Sequence, residues 1–475
     1  MDELTAEVVV AGAGPTGLML ANELALAGVD VVVLERLAER TGLSKALNLQ
    51  PRTAEVLDLR GLLGRAERRS FATVGEGHFA MIPVSYAGWD TRHPYQLGIP
   101  QAQVEAALEE RLAEQGVKVL RGQELKEFTQ DEEAVTVTTT TTRIRASYLV
   151  GCDGGRSAVR KALNLPFEGI DGRGHGVVAD VRFAATPPGA QSEWRSMRDI
   201  VTADGIGKYT GLIPLSEPNL YRLAYGDRLN RPANLRAEVT DDEVRDVITK
   251  TYGAETKVEE IRWASRFGDD SRLAARYRVG RVLLAGDAAH THFPAGGQGL
   301  NLGVQDAMNL GWKLAATLKG TGHKDLLDTY EQERRPVAEA VVQNVAAQSA
   351  LIPSTPELLA LRKLFRAMSE LPQAQHYLSG LISGLSITYP ADENAHPATG
   401  TRLPDFKTKT GNASDWFHKG KFVLLTTTET ETESSHPNIK VAVVDNLPWP
   451  DVTRALIRPD GYVANTTGET EPWLT

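Results

Sequence analysis

The chain has 475 residues, enough for two or three domains around a large core, with the hydrophobic (41%) and charged (24%) fractions of a soluble globular protein. A net charge of −9 speaks against a nucleic-acid binder held by phosphate contacts. The single cysteine, Cys152, excludes an intramolecular disulfide and a cysteine-held zinc, and no metal site is expected. No apolar run approaches membrane-spanning length and the acidic start is no signal peptide, so a cytoplasmic protein without a membrane partner is expected.

Val8–Val10 reads as a buried strand, followed at once by Gly12-Ala13-Gly14-Pro15-Thr16-Gly17. Leu18, Leu20, Ala21, Leu24 and Ala25 recur at helical spacing, and Gly28 marks the stop. Val31–Leu34 is a second buried strand that ends in Glu35. Strand, glycine turn, helix, strand and acid make the full dinucleotide fingerprint. Gly12 permits the tight turn, Gly14 lets backbone approach a pyrophosphate, and Gly17 lets helix and strands pack closely. Pro15 suits the first helical position, and the helix N-terminus attracts phosphate. Glu35 is placed to accept ribose hydroxyls. This fingerprint alone does not choose between NAD and FAD.

Pro51 opens a helix that Gly61 ends, and residues 74–98 read as irregular. Pro100 opens an amphipathic helix to about Gln115. Val117–Leu120, Glu124–Phe128, the threonine-rich run Val135–Thr142 and Ile144–Val150 read as strands, with a hairpin around Thr142-Arg143. Gly151-Cys152-Asp153-Gly154-Gly155 then ends a buried strand before a helix starting near Ser157. Asp153 either faces the ligand crevice of an open α/β sheet or caps that helix.

From Gly172 to about Phe267 the period changes to that of an antiparallel sheet, with a helix at Thr240–Tyr252. Its aromatics Trp194, Tyr209, Tyr221 and Tyr225 are candidates to wall a flat apolar ligand, with Phe293 beyond it; the competing reading for most is a core position. Arg281–His290 returns to the first pattern: strand, Gly286, Asp287. Pro294, Gly297, Gly299, Leu300 and Asn301 lie in a second glycine-rich loop that opens a long helix to about Leu318. His290 and His292 beside that loop are expected to be structural. Helices follow at Leu326–Leu351, Pro356–Ser369 and Ala374–Leu385. After a linker at Tyr389–Pro404 come strands Phe422–Thr426, Lys440–Val444 and Ala455–Ile457, and a turn at Arg458-Pro459-Asp460-Gly461. Thr426–Ser435 reads as a Thr/Glu-rich loop.

Together, Gly12–Gly17 with Glu35, Gly151–Gly154, and Gly286–His290 with Pro294 and Gly299–Asn301 resemble the single-component FAD aromatic hydroxylases typified by p-hydroxybenzoate hydroxylase. Ser44-Lys45-Ala46, Pro51-Arg52-Thr53, Tyr330–Arg334 and Arg458–Tyr462 resemble the subgroup acting on angucyclines, anthracyclines and tetracycline precursors. The resemblance implies an α/β fold: a discontinuous Rossmann-like FAD-binding domain over residues 1–171 and 269–388, an inserted antiparallel β-sheet substrate domain over 172–268, and a small C-terminal thioredoxin-like domain over 389–475, shorter than in those relatives. It implies that Glu35 binds the adenosine ribose, with Arg36, Gln101 and Leu125 as further cofactor contacts. Asp287 would hold the ribityl chain and Gly299–Asn301 the isoalloxazine edge. Asp153 and Gly154 would serve both FAD and a transient NADPH. Lys45 stands where relatives carry arginine, so a planar fork toward pyrophosphate or NADPH is lost.

The implied activity is NADPH- and O2-dependent hydroxylation of a polycyclic aromatic polyketide phenol through a C4a-hydroperoxyflavin, with no protein nucleophile. Rival readings are a Baeyer–Villiger or epoxidising monooxygenase and a non-catalytic flavin- or antibiotic-binding protein; the missing W-x-W-x-I-P motif speaks against a halogenase. The C-terminal region is expected to be a scaffold and not a redox module, so that a chain cut near Pro390 keeps its cofactor if it stays soluble.

Overall fold

Hydrophobic strands set side by side in register bring the glycine and acid motifs to one edge. The computed structural model describes residues 2–475 except 197, 199, 228, 230, 236, 353–354, 409–410, 429–432, 435, 470–472 and 474–475; the side chains of 201–205 and 407 are also outside the description. The strand Asp2–Ala11 runs parallel between Thr142–Gly151 and Val31–Glu35, pairing Ala11 with both Gly151 and Leu34. Gly151 pairs in turn with Leu284 of the parallel strand Val282–Leu284. Gly12, Glu35, Cys152 and Ala285 therefore leave their strands in one row. Val8, Val9 and Val10 are fully buried, as a central parallel strand requires. Each contributes about 1.5–3 kcal/mol by leaving water. Val119–Arg121 extends the sheet beyond Val31–Glu35, and Arg278–Val279 closes the other edge.

The helices Pro15–Leu26 and Gln298–Leu318 cover this sheet within one apolar core. The threonine-rich run is a strand, Val135–Thr138, paired with Glu127–Gln130 and with Thr142–Gly151. Its chain reversal falls at 139–141, earlier than expected. There the Thr139 hydroxyl accepts the Thr142 N–H and replaces a glycine turn.

Residues 74–98, expected to be irregular, contain short strands at Glu76–Phe79, Ile82–Ser85 and Gln96–Gly98, and Ala72–Val74 precedes them. Elements of three or four residues are too short to show a period. The Glu76–Phe79/Ile82–Ser85 hairpin also turns on Ala80 and Met81 at positive φ, where an Asn-Gly signal is usual.

The inserted region is an antiparallel sheet in the order Val201–Gly205, Lys208–Pro214, Leu220–Asp227, His175–Phe183, Val258–Gly268. The helix Asp241–Tyr252, N-capped by the Thr240 hydroxyl, packs on one face. The last region is a mixed sheet: Phe422–Thr426 runs parallel to Ile439–Val443 and antiparallel to Arg454–Ile457, which pairs with Val463–Asn465. The turn at Arg458–Gly461 forms as expected, with Gly461 at φ +77°. Residues 429–432 and 435 of the Thr/Glu-rich loop lie outside the described residues. Among the described residues no helix is long and apolar enough to cross a membrane, and no group of histidines, cysteines and carboxylates is arranged to hold a metal.

Candidate active site

Two helix N-termini open on the row of strand ends, and neither carries a side-chain cap. The first N–H groups of each helix lack intrahelical acceptors and suit phosphate or developing negative charge. At the first, a Cβ on Gly12 would stand 2.3 Å from the Cys152 carbonyl oxygen, and one on Gly17 only 2.0 Å from the Gly12 oxygen. Gly14 and Gly154, by contrast, have no atom within 4 Å of a Cβ position, so both border open space. The glycines thus divide into packing positions and positions that leave room for a ligand. Pro15 occupies the first helical turn. The Thr16 side chain abuts Gly286 and Gly303, where any Cβ would clash with its hydroxyl, so it locks the two glycine motifs together.

Glu35 Oε2 accepts the Ala13 N–H at 3.1 Å, and Oε1 accepts the Leu37 N–H at 2.9 Å. Its carboxylate therefore reaches the glycine turn across the strand ends. Asp153 Oδ2 accepts the N–H groups of Ala158 and Val159, while Oδ1 is buried without a partner. The capping reading of Asp153 is the one seen: Oδ2 caps the start of a short helix.

At the second N-terminus, Asp287 is exposed between the buried Gly286 and Ala288, and its Oδ1 lies 3.8 Å from a Cβ position on Gly299. Asp306 fixes this turn. Its Oδ2 accepts the Gly286 N–H at 3.1 Å and bonds His290 Nε2 at 2.7 Å, while Oδ1 accepts from Arg334 Nε at 2.8 Å. Burial opposes charge on Asp306, but Arg334 and His290 outweigh it and hold its pKa below the ordinary value. Burial pushes the His292 pKa down, and its Nε2 has no partner. The neutral ring therefore leaves one nitrogen free beside Asp287.

The loop is clamped from behind. Asn301 accepts the Gln50 N–H at 2.7 Å and donates to the oxygens of Asn48 and Gly297, so only its backbone is free for a ligand. Asn48 also leaves no room for a Cβ on Gly297, at φ +64°. Pro294 is exposed and Leu300 half-buried. The Gln101 N–H donates to the Ala46 oxygen, its side-chain Oε1 accepts the Ala46 N–H, and its Nε2 donates to Glu105. Arg36 and Lys45 are exposed, whereas Leu125 is 9% exposed and belongs to the sheet core.

The aromatic candidates separate. Tyr209 and Phe293 meet Phe267, Met81, Ala295, Val345 and Ile352 in an apolar wall between the glycine-rich loop and the inserted sheet. Trp194 stacks near Phe71 with its Nε1 unpartnered. Tyr221 and Tyr225 are a correction: strand alternation turns both to the opposite face, under the helix Asp241–Tyr252, where Tyr225 bonds Glu243. The same alternation sends Arg222, which the sequence reading did not single out, toward the loop. It donates to the Ser44 and Lys45 oxygens at 2.6 and 3.1 Å and to Asp180, which also accepts Trp263 Nε1. These residues fit FAD: glycine cradles, an acid at the end of the second strand reaching the glycine turn, an exposed Asp287 and an uncapped N-terminus.

The comparisons agree. The FAD-binding-domain family model matches residues 5–345, and the model of the aromatic-ring hydroxylase C-terminal region matches 396–473. Anhydrotetracycline monooxygenase of Streptomyces rimosus is 43% identical, over 97% of this chain and 95% of its own length. The solved OxyS anhydrotetracycline hydroxylase from the same species superposes with a TM-score of 0.86 at 40% identity, covering 98% of this chain and 97% of that one. The Diels-Alderase PyrE3 of pyrroindomycin biosynthesis superposes at 0.84 with 33% identity, covering 100% and 99%. With its FAD-binding domain, aromatic-hydroxylase C-terminal region and near-complete match to these enzymes, the chain belongs to the family of FAD-dependent aromatic-ring monooxygenases.

Proposed function

We propose that this enzyme hydroxylates a polycyclic phenol of the aromatic polyketide class, with NADPH as the transient reductant. The observation that carries the reading is the Tyr209–Phe267–Phe293 wall set against Ala295 of the glycine-rich loop, whose Gly299 lies beside Asp287. An apolar aromatic surface there holds a flat ring and keeps water from the reacting edge. FAD, when bound, supplies dioxygen activation. The protein's part is holding and orienting: Gly12–Gly17 and Glu35 take the dinucleotide, and Asp287 takes polyol hydroxyls. The N–H groups of Gly299–Asn301 meet negative charge on the ring system. Asp153 Oδ1 is the free acceptor offered to either nucleotide. Arg222 holds Ser44 and Lys45 in place, so that the loop bordering the cofactor moves with the sheet that carries the ring wall.

The division into a cofactor domain at 1–171 and 269–388 and a substrate domain at 172–268 rests on the paired strands Phe167–Ile170 and Ser271–Ala274, between which the inserted sheet leaves and returns. The order Ile439–Val443, Phe422–Thr426, Arg454–Ile457, Val463–Asn465, with its first pair parallel, supports a thioredoxin-like C-terminal domain. It has no cysteine and hence no dithiol chemistry.

The test is FAD-loaded protein with NADPH or NADH, labelled dioxygen and a panel of polycyclic phenols. One labelled oxygen entering as a ring hydroxyl is expected. A labelled lactone or epoxide would replace hydroxylation by the Baeyer–Villiger or epoxidising outcome. No substrate-dependent oxygen uptake across the panel would leave a binding protein.

A further inference from the structure

Behind the glycine-rich loop, on the far side of its helix, lies a second space. A cavity of about 410 Å³ sits between the first turns of Gln298–Leu318, the helix Thr329–Ala350, the end of the helix Pro372–Ser383 and residues 384–390. That volume is within the range of small-molecule sites. Gln298, Asn301, Leu302 and Gln305 line it at helical spacing, so one face of the helix belongs to the cavity, while Gly299 turns toward Asp287.

The lining specifies a ligand class. Val337, Val341, Leu381 and Ile382 give apolar walls. Glu333 is the one acidic or basic side chain among the lining residues, and it is spent on Lys313 and Arg458. Nothing is left to balance an ionic ligand, so a neutral one is required. Most of the buried amides are committed too: Gln50 to the Gly296 oxygen and the Tyr86 hydroxyl, Asn301 to the Gln50 N–H and the Gly297 oxygen, Gln298 and Asn344 to one another. Gln305 is the exception. It is 7% exposed, lines the cavity, and its Oε1 accepts no hydrogen bond. Native interiors rarely leave such a group idle.

We propose that this cavity is a second small-molecule site, which binds a neutral phenol or aromatic carboxamide whose O–H or N–H donates to Gln305 Oε1 while its ring lies against Leu302, Val337 and Ile382. The site is separate from the Asp287–Phe293 cleft and does not rest on the hydroxylase reading.

The probe is salicylamide, which is neutral near pH 7 and carries both groups, titrated by calorimetry into the FAD-loaded protein. Saturable binding is expected. Gln305→Leu should weaken it about tenfold, as loss of one hydrogen bond to a buried group does. Ala340→Trp should abolish it by filling the cavity; Ala340 lines the space yet is exposed, so this variant folds whatever Gln305→Leu does. Tyr209→Ala, in the cleft, should leave affinity unchanged. Absence of saturable binding, or wild-type affinity in Ala340→Trp, overturns the proposal. Loss in Tyr209→Ala with retention in Ala340→Trp places the probe in the cleft, which overturns the second site and leaves the proposed function standing.

Discussion

Arg222 shows what one side chain decides. It is 2% exposed, donates to two carbonyl oxygens of another part of the chain, and has Asp180 as its counter-ion. Breaking a buried pair by removing one partner costs about 3–5 kcal/mol. Arg222→Ala is therefore expected to lower unfolding stability by about 3 kcal/mol and FAD affinity at least tenfold. Arg222→Lys keeps the charge but not the fork, and should fall between. Urea unfolding and flavin fluorescence titration read both, and wild-type FAD affinity in Arg222→Ala would remove the loop from the cofactor's support. Glu35→Ala removes the bridge to Ala13 as well as the proposed ribose acceptor, so a loss of about tenfold or more in FAD affinity is expected by the same titration. Glu35 was legible because a fixed chain distance separates it from the glycines. Arg222 was not: Leu220-Tyr221-Arg222-Leu223 alternates identically whether the arginine faces water or a neighbouring loop. That ambiguity also put Tyr221 and Tyr225 among the ligand candidates.

Short elements were the least legible, and the hairpin at Ala80-Met81 shows why. Two non-glycine residues at φ +50° and +64° carry no turn signature. Tertiary bonds hold them instead: the Ala80 N–H donates to Gln348 Oε1 and the Ala80 oxygen accepts from Arg362. A left-handed non-glycine residue costs roughly 1–2 kcal/mol, against roughly 0.5–1 kcal/mol of extra chain entropy for glycine. Ala80→Gly should thus stabilise the protein by about 0.5 kcal/mol in urea unfolding. An equal loss would mean that the methyl group, 3% exposed, packs better than the backbone strain costs. The Gly286–Ala288 turn is held by one buried carboxylate, Asp306. Asp306→Asn keeps the shape but weakens three bonds, so FAD affinity should fall through misplacement of Asp287, with Asp287→Ala adding little further. Additive losses in that double-mutant cycle would disconnect the two.

The whole molecule is held by a charge cluster that no single motif announced, because its members lie far apart in sequence. Arg458 bonds Glu333 at 2.8 and 2.9 Å and also Asp460, and its guanidinium lies 5.3 Å from the Trp312 ring and 4.9 Å from that of Tyr389. Lys313 bonds Glu333 at 2.7 Å, and Arg334 reaches Tyr389 from its place on Asp306. Burial alone would raise the Glu333 pKa, yet Arg458 and Lys313 bring it from 4.5 to about 2. Its folded pKa lies below its unfolded one, so its contribution is present above about pH 4.5 and is lost as pH falls toward 2. That difference corresponds to roughly 3 kcal/mol. Urea unfolding from pH 6 to pH 3 should show the loss, and Glu333→Gln should flatten the slope while lowering stability at pH 7.

The same cluster bears on the condition attached to the C-terminal scaffold, that a chain cut near Pro390 stay soluble. Val423, Leu425, Ala455 and Ile457 are part of the large core, while Phe422, Leu424 and Leu456 pack with Trp312 and Leu326. A cut near Pro390 would strip both apolar faces and take Arg458 and Asp460 away from the Lys313–Glu333 pair. Removing partners from a buried charge cluster costs about 3–5 kcal/mol, a large share of a stability of about 5–15 kcal/mol. The truncated chain is therefore expected to be insoluble or molten and not to retain FAD. The decisive comparison is with full-length Arg458→Met, which removes the guanidinium and leaves both apolar faces covered. If the region matters mainly through packing, Arg458→Met stays folded with wild-type FAD content and only the cut chain fails. If the ion pairs dominate, both lose cooperative unfolding and FAD together. A cut chain that unfolds cooperatively and binds FAD normally would show that neither the apolar faces nor the ion pairs of this region are needed for the cofactor domain to fold.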